Sequence, residues 1–254
     1  MKHILLTNDD GIDSNGLYAL YKELKKIGDV TVVAPHLEKS AVGHAITINE
    51  PIRVIEYNRP DKFNGFAISG TPADCVKIAV KSIMSKKPDI IVSGINHGSN
   101  TATNVLYSGT VSAATEGIIL GIPSIASSLL SFDHKADASY AAEFTARLAK
   151  TVMEKGLPQD TLLNVNVPAS KKSEMKGVAI TRQGRGRYDE IFEQRHDLNG
   201  RAYYWLTGKK MILDTADDID DVVVIKNYIS VTPIQVDMTN YQMLDTLKTW
   251  GLVP

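Results

Sequence analysis

The stretch His3-Ile4-Leu5-Leu6-Thr7-Asn8-Asp9-Asp10-Gly11 decides the fold of this chain. It begins as an apolar run with the length of a buried β-strand and ends as a polar turn with two adjacent carboxylates. Neighbouring side chains on a strand point to opposite faces, so Asp9 and Asp10 can reach one point only where the strand has given way to a turn. In an open α/β sheet, ligands bind at the carboxyl ends of the strands. We therefore predict a functional site directly after this first strand.

The two carboxylates suit a divalent cation, because they offset its charge and supply hard oxygen ligands. The same Asp-Asp-Gly sequence also fits a turn that caps the following helix. The motif alone leaves both interpretations open.

Composition and charge narrow the class of protein. The 254 residues are 43% apolar and 22% charged, which is enough to build a large globular core. The net charge of -1 argues against a partner such as long nucleic acid or an anionic membrane. The single cysteine, Cys75, excludes an intramolecular disulfide and a cysteine-rich zinc site. No apolar stretch has the length of a signal peptide or membrane span, so we expect a cytoplasmic protein.

Residues 1–170 alternate short apolar runs with amphipathic segments. This pattern predicts an α/β fold, a Rossmann-like, doubly wound and mostly parallel sheet with helices on both faces, as a catalytic core. The predicted strands are 3–7, 30–34, 66–69, 89–93, 122–126 and 162–167. The predicted helices are 15–27, 110–120 and 138–155. A hairpin is expected from 45–48 and 52–55, and a further helix capped by Thr71 with Pro72 first and Asp74 as acidic partner.

The pattern changes in residues 171–254, where helical periodicity fades. Segments 202–206 and 222–225 are predicted strands of a β-hairpin, 228–234 a strand that returns to the core, and 240–249 a C-terminal helix. An extension of this kind often contacts a neighbouring subunit, and a surface flap on a monomer is the alternative.

Three loops follow predicted strands and would lie on one edge of a parallel sheet. They span 8–16, 35–44 and 94–109 and are rich in side-chain oxygens and glycine. Taken together, such oxygens suit Mg²⁺, Mn²⁺ or Ca²⁺ rather than zinc. The residues that supply them are Asn8, Asp9, Asp10, Ser40, Asn96, Asn100 and Ser108.

Ser108-Gly109-Thr110 opens the predicted helix 110–120, and free N–H groups at a helix start bind anions such as phosphate. Ordinary capping by Ser108 is the alternative. Gly11 and Gly16 have the spacing of a phosphate loop, but Leu17-Tyr18 stands where Lys-Ser/Thr is required. A metal and a phosphate site without a Walker sequence point to hydrolysis of a small phosphate ester.

Eight motifs, in order from residue 3 to about 235, resemble those of the survival protein SurE family. They are Asn8-Asp9-Asp10-Gly11, Val33-Ala34-Pro35, Ser40 with Gly43-His44, Gly70-Thr71-Pro72-Ala73-Asp74-Cys75, Val92-Ser93-Gly94-Ile95-Asn96-His97-Gly98, Ser108-Gly109-Thr110-Val111-Ser112-Ala113, Leu163-Asn164-Val165-Asn166-Val167-Pro168 and Ser230-Val231-Thr232-Pro233.

The resemblance implies a metal-dependent 5′-nucleotidase that hydrolyses nucleoside monophosphates, with some 3′-nucleotidase and polyphosphatase activity. It also implies one divalent cation per subunit, Mg or Mn, with Ca possible in crystals, and a homodimer or homotetramer that exchanges the C-terminal extension. The implied metal ligands are Asp9, Asp10, Ser40 and Asn96, with Asp9, Asp10 and Asn96 catalytic. The expected substrate contacts are Asn8, Gly43, His44, Asn96, Ser108, Gly109 and Thr110.

The mechanistic hypothesis is attack of a metal-activated water on phosphorus. An aspartyl-phosphate at Asp9 is the rival, although the phosphatases that use one need Asp-x-Asp spacing. His44 and His97 are candidates to protonate the leaving group or contact the sugar. A nucleotide sensor without turnover is the alternative from another class, and a sugar-nucleotide transferase is a third.

We predict structural roles for two charged clusters in the extension. Arg182, Arg185 and Arg187 are expected on a solvated hairpin, with contact to a partner subunit's substrate as the alternative. The acidic residues lack the Gly and Glu spacing of a calcium loop, so we predict that they form an exposed turn. They are Asp214, Asp217, Asp218, Asp220 and Asp221.

Overall fold

The computed structural model describes residues 1–59 and 63–252. Its helices and strands, in chain order, are β1 His3–Thr7, α1 Asn15–Leu24, β2 Asp29–Pro35, β3 Val54–Arg59, β4 Phe63–Ile68, α2 Pro72–Ile78, β5 Ile90–His97, α3 Gly109–Ile119, β6 Ser124–Leu130, α4 Ser139–Lys155, β7 Thr161–Pro168, β8 Val178–Ile180, β9 Arg187–His196, β10 Ala202–Met211, α5 Asp220–Ile225, β11 Ile229–Gln235 and α6 Tyr241–Lys248. A π-helical turn, Ala79–Ile83, follows α2, and a 3-10 helix, Ala102–Leu106, precedes α3.

A nine-stranded sheet in the order β3-β4-β2-β1-β5-β6-β7-β11-β8 forms the centre of the molecule. The six strands from β4 to β7 are parallel. Beside them, β3 pairs antiparallel with β4, and β11 pairs antiparallel with β7 and parallel with β8. The predicted α/β class with a mostly parallel sheet is therefore confirmed.

Alternating side chains of β1 pack against helices on both faces of the sheet. Ile4 and Leu6 belong to an apolar cluster with residues of α1 and α4. Leu5 points to the opposite face, where it joins residues of α2 and α3. All three leucine and isoleucine side chains are fully buried, because a parallel sheet covered on both faces leaves no polar side.

The topology creates a crevice between β1 and β5. From β1 the chain moves to β2 and β4 on one side and then returns to β5 on the other. The loops that leave the carboxyl ends of β1 and β5 therefore diverge, and ligands bind in such a gap. Asp9 and Asp10 follow β1 at this point, and Asn96 lies near the end of β5.

The hairpin predicted from 45–48 and 52–55 is wrong. The antiparallel pair is β3 with β4, which joins Val54 to Ile68 and Arg59 to Phe63. Polar groups of segment 45–48 bind the start of α2 instead, since Asp74 accepts from the Thr47 N–H and Thr71 Oγ1 donates to the Ala45 carbonyl. The capping box of α2 itself, from Thr71 and Asp74 with Pro72 at its start, is confirmed.

The prediction of 222–225 as a hairpin strand is also wrong. These residues lie in α5, and the partner of β10 is β9, which the sequence did not reveal. A short run of buried apolar residues does not distinguish a strand from a helix, and Val222, Val223 and Val224 are buried. The returning strand and the C-terminal helix are confirmed as β11 and α6.

The acidic residues of the extension do not form one exposed turn. Asp217 and Asp218 are exposed, but Asp220 and Asp221 are buried at 0% and 4% exposure.

The helix predicted over 15–27 is shorter and ends at Leu24. No helix among residues 1–59 and 63–252 is long and apolar enough to cross a membrane. The division at residue 170 stays a prediction, although β8 and β11 extend the sheet of the core.

Candidate metal and phosphate site

Asp9 connects the turn after β1 with the start of α3. Its carboxylate is buried and accepts a hydrogen bond from the Thr110 hydroxyl. Burial raises the pKa of Asp9, and hydrogen bonds from Thr110 oppose that rise. A Cβ on Gly109 would lie only 2.7 Å from the Asp9 Cβ, so a glycine is needed where the helix meets the carboxylate. The predicted metal and phosphate residues are therefore in direct contact.

Asp10 is the second carboxylate of the turn. Burial, together with the neighbouring charge of Asp9, raises the pKa of Asp10 to about 7. The backbone N–H of His97 donates to Asp10 Oδ2 at 3.1 Å, which ties the turn to the end of β5. Two acids in such surroundings resist being ionised together unless a positive charge lies beside them. This electrostatic arrangement fits a bound cation.

Asn96 and Ser40 are the other two predicted metal ligands, and the first is buried while the second is exposed. Asn96 is 8% exposed, and its side-chain N–H donates to the Gly98 carbonyl at 2.7 Å. The Asn96 amide oxygen makes no hydrogen bond within the described residues. The segment of Ser40 reaches the turn, because the Lys39 N–H donates to the Asp9 carbonyl at 2.7 Å. The Ser40 hydroxyl itself is exposed and donates to Glu38.

The chemistry of these groups suits a hard cation that keeps several water ligands. Within residues 1–59 and 63–252, no group of three or more His, Cys, Asp or Glu side chains could hold a metal ion. The predicted donors are instead two carboxylates with neutral oxygens. Such a set fits Mg²⁺ or Mn²⁺ better than zinc.

The sequence left two interpretations of the start of α3 open, helix capping by Ser108 and binding of an anion. Ser108 caps the helix, since its Oγ accepts from the Val111 N–H at 3.1 Å. Ser108 and Thr110 are buried, and the first N–H groups of an α-helix have no partner within the helix. Capping by Ser108 is therefore confirmed, and binding of an anion at this helix start stays a prediction.

Asn8 shapes the turn from within. It is fully buried, and its side-chain N–H groups donate to the Gly11 carbonyl at 2.9 Å and to Ser14 Oγ at 2.8 Å. Gly11 has a φ of +93°, which favours glycine. Among the described residues Asn8 Oδ1 is buried without a hydrogen-bond partner. The predicted contact of Asn8 with substrate stays a prediction.

His44 is held by a partner that the sequence did not indicate. Its Nε2 lies 3.0 Å from Oε2 of Glu116, a residue of α3 that is 2% exposed. Lys77 donates to the other oxygen of Glu116 at 2.7 Å. Burial acts to raise the pKa of Glu116, but the hydrogen bonds from His44 and Lys77 lower it below its ordinary value.

Gly43 brings the loop of His44 to the phosphate element. The Gly43 N–H donates to the carbonyl of Tyr107, the residue directly before Ser108, at 3.0 Å. The loop that follows β2 therefore touches the loop that leads into α3. His44 lies beside the helix that begins with the predicted phosphate residues.

The family model described as survival protein SurE matches residues 4–190 of the chain. The chain belongs to the SurE family. It is 51% identical over 250 residues to a protein named 5′-nucleotidase SurE from Chlorobium phaeobacteroides, covering 98% of this chain and 96% of that protein. It is 50% identical to the protein of the same name from Syntrophobacter fumaroxidans, covering 98% and 99%.

A solved structure supports the same membership. The crystal structure of the SurE protein from Aquifex aeolicus matches with a TM-score of 0.83 at 40% identity and covers 98% of this chain and 99% of that chain. The resemblance based on eight motifs is thereby confirmed. The roles of individual residues in this SurE chain are untested by these matches and stay predictions.

The structure of this SurE chain shows two further features near the site. His97 is 8% exposed, and neither of its ring nitrogens has a hydrogen-bond partner within the described residues. Its ring lies 5.3 Å from that of His134, and burial lowers the pKa of His97.

Glu116 was not predicted as a residue of the site, because nothing in its local sequence links it to His44, which lies 72 residues away.

Proposed function

We propose that this SurE-family protein is a metal-dependent 5′-nucleotidase, which hydrolyses nucleoside monophosphates to nucleoside and phosphate. The names of relatives about 50% identical over nearly the full chain support this activity. The observation that carries it is the contact of Asp9 with Gly109 and Thr110, which joins an acid pair to the start of α3. Activity on 3′-monophosphates and short polyphosphates is part of the proposal by family resemblance.

Asp9, Asp10, Asn96 and Ser40 would hold one divalent cation, Mg²⁺ or Mn²⁺. When bound, such a cation polarises phosphoryl oxygens and lowers the pKa of a bound water to make it nucleophilic. The two carboxylates also explain why the site needs this charge, since burial raises the pKa of both and the charge of Asp9 adds to the rise for Asp10.

Residues at the start of α3 would bind the phosphoryl group. Backbone N–H groups of the first helical turn point along the helix axis and stabilise negative charge that develops on phosphoryl oxygens. Gly109 permits close approach, because it places no Cβ against the Asp9 side chain. The Thr110 hydroxyl orients Asp9 and favours its ionised form.

The loop of His44 would contact the nucleoside side of the substrate. Glu116 fixes the His44 ring through Nε2, which leaves Nδ1 free to donate or accept. A histidine oriented by a buried carboxylate suits contact with a sugar hydroxyl or protonation of the leaving oxygen. We assign His44 to this part of the site and not to the cation.

Phosphate release tests the proposed activity. The chain is assayed with a panel of 5′- and 3′-nucleoside monophosphates and tripolyphosphate, first with chelator and then with Mg²⁺, Mn²⁺ or Ca²⁺ restored. We expect metal-dependent release, lost in Asp9→Asn with retained fold and kept in the control Asp13→Asn, whose carboxylate is exposed and pairs with Arg59. Tight nucleotide binding without any release would identify a sensor instead.

The hairpin of β9 and β10 supports a homo-oligomer as part of the proposal. Nearly all of its residues are exposed, and its sheet contains only these two strands in the described part of the chain. An isolated hairpin is marginally stable in water, so it needs a surface to pack against. Its exposed large apolar residues are Tyr188, Ile191, Phe192, Tyr203, Tyr204, Trp205, Leu206 and Met211.

We propose that a second copy of the chain supplies this surface. Light scattering with size-exclusion chromatography measures the molar mass directly. A dimer or tetramer is expected for the full chain, and Trp205→Glu should shift it toward monomer. A monomeric wild-type chain at micromolar concentration would contradict this assembly while leaving the nucleotidase proposal standing.

A further inference from the structure

The rim loop, residues 98–108, connects Asn96 with the start of α3 and therefore lies between the proposed metal and phosphate residues. Its first part is held by the core. The side-chain N–H of Asn164 donates to the Asn100 carbonyl at 2.7 Å, and the Asn100 N–H donates to Asn166 Oδ1 at 2.8 Å. Its second part, from Thr101 onward, is held by residues of the C-terminal extension.

Asp220 of α5 makes the first of these contacts. It is fully buried, and its Oδ2 accepts from the Ala102 N–H at 2.9 Å. Its Oδ1 accepts from the N–H groups of Gly184 at 2.9 Å and Asp221 at 2.8 Å. One buried carboxylate thus joins the rim loop to the segment that leads into β9.

Asp221 makes the second contact. Its Oδ1 accepts from the Thr101 hydroxyl and from Lys210 Nζ of β10. A Cβ on Gly186 would lie 2.2 Å from Asp221 Oδ2, so the base of the hairpin packs directly against this carboxylate. Gly186 also accepts from the Thr103 N–H at 3.2 Å and the Thr103 hydroxyl at 2.7 Å.

The backbone of the rim loop needs such support. Ala102 has a φ of +52°, in the left-handed region that residues with a Cβ rarely adopt. The N–H that Asp220 binds belongs to this same residue. A free loop would leave this conformation, since the steric cost falls on Ala102 and is offset by the hydrogen bonds of its own N–H with Asp220 and of its own carbonyl with Gln183.

We propose that Asp220 and Asp221 are positioning residues of the phosphatase site, which hold the rim loop so that Asn96 and the start of α3 face each other. The inference rests on the proposed function. Neither residue is among the proposed metal ligands or substrate contacts, all of which precede residue 111. The extension thereby completes a site formed by the core, in addition to any role in assembly.

Asp220→Asn in the full chain tests the inference. An amide has one acceptor oxygen, so it cannot accept from Ala102 on one side and Gly184 on the other. We expect kcat/KM for a 5′-monophosphate with Mn²⁺ to fall about tenfold or more, with weaker inhibition by inorganic phosphate, because small displacements at a reacting site are costly. Asp218→Asn is the matched control, since that neighbouring carboxylate is exposed and should leave activity unchanged.

A rescue variant separates positioning from folding. Ala102→Gly in the Asp220→Asn background should recover about threefold or more of kcat/KM, because glycine adopts a positive φ without support. The urea midpoint should stay lowered, since the buried contacts of Asp220 are still lost. The inference is overturned if Asp220→Asn keeps wild-type kcat/KM, or if Ala102→Gly restores none of the loss.

The two proposals fail in different ways. A wild-type chain that releases no phosphate from any monophosphate contradicts the nucleotidase proposal. The positioning role is then judged by calorimetric binding of inorganic phosphate with Mn²⁺ and by hydrogen exchange. We expect faster exchange over 101–107 in Asp220→Asn, with β5 unchanged. Equal exchange and equal phosphate affinity in wild type and variant would overturn it.

Discussion

The carboxyl group of Asp10 should make the metal-free protein less stable as pH rises. Burial, aided by the charge of Asp9, raises the pKa of Asp10 from its ordinary value of 3.8 to about 7. Between about pH 4 and 7 the folded chain therefore keeps a proton that the unfolded chain has released. Unfolding becomes more favourable with rising pH, and the full destabilisation is present above pH 7.

The size of this effect follows from the two pKa values. At about 1.36 kcal/mol for each pKa unit, a change from 3.8 to about 7 corresponds to about 4 kcal/mol. This is an upper limit, because Asp10 is partly exposed and solvent screens part of the charge. Asp10→Asn imitates the protonated acid. In chelator, its free energy of unfolding should therefore equal that of wild type near pH 4 and exceed it by up to about 4 kcal/mol above pH 7.

Urea unfolding with chelator, at pH values from 4.5 to 8, measures the difference in free energy of unfolding. The control is Asp13→Asn, which removes an exposed carboxylate from the same loop and should show no such trend. Addition of Mn²⁺ should reverse the order, since only the wild-type chain keeps both carboxylates. A difference that stays constant with pH, or that favours wild type in chelator above pH 7, would refute the reasoning.

Four further results are expected. The apparent affinity for Mn²⁺ should fall about tenfold per pH unit below 7, measured by equilibrium titration, because the cation must displace a proton. Gly109→Ala should lower kcat about a hundredfold and also lower the urea midpoint, since its Cβ would lie 2.7 Å from the buried Asp9 Cβ. Gly16→Ala should cost about 2 kcal/mol or more in urea unfolding, because its Cβ would lie 2.0 Å from the Ile95 carbonyl oxygen. Glu116→Gln should cost about 2 kcal/mol and raise KM for nucleotides, since it loosens the histidine that it holds; an unchanged KM would place that histidine outside the substrate site.

Local features of the fold could be predicted well. The capping box at Thr71 and Asp74 depends on residues three positions apart and was confirmed as predicted. The buried strands β1 and β5 stand out because a strand covered on both faces must be apolar throughout.

Features that depend on distant partners could not be predicted. All ten residues of β9 are exposed, and among the described residues it pairs with β10 alone, so its sequence carries no alternation of buried and exposed positions. The apolar run in α5 was predicted to be a strand because consecutive residues of this short helix are buried, so the run shows no helical periodicity. Neither error affected the site, which lies at the ends of β1 and β5.

By itself, the sequence determined a parallel sheet with polar, glycine-rich turns at the carboxyl ends of its strands, and hence the place of the site. Only the tertiary structure decided how those turns meet. The contact of His44 with Glu116 spans 72 residues and that of Ala102 with Asp220 spans 118. The raised pKa of Asp10 likewise arises from burial by the surrounding chain. Such contacts and charges depend on packing between distant segments, which local spacing does not encode.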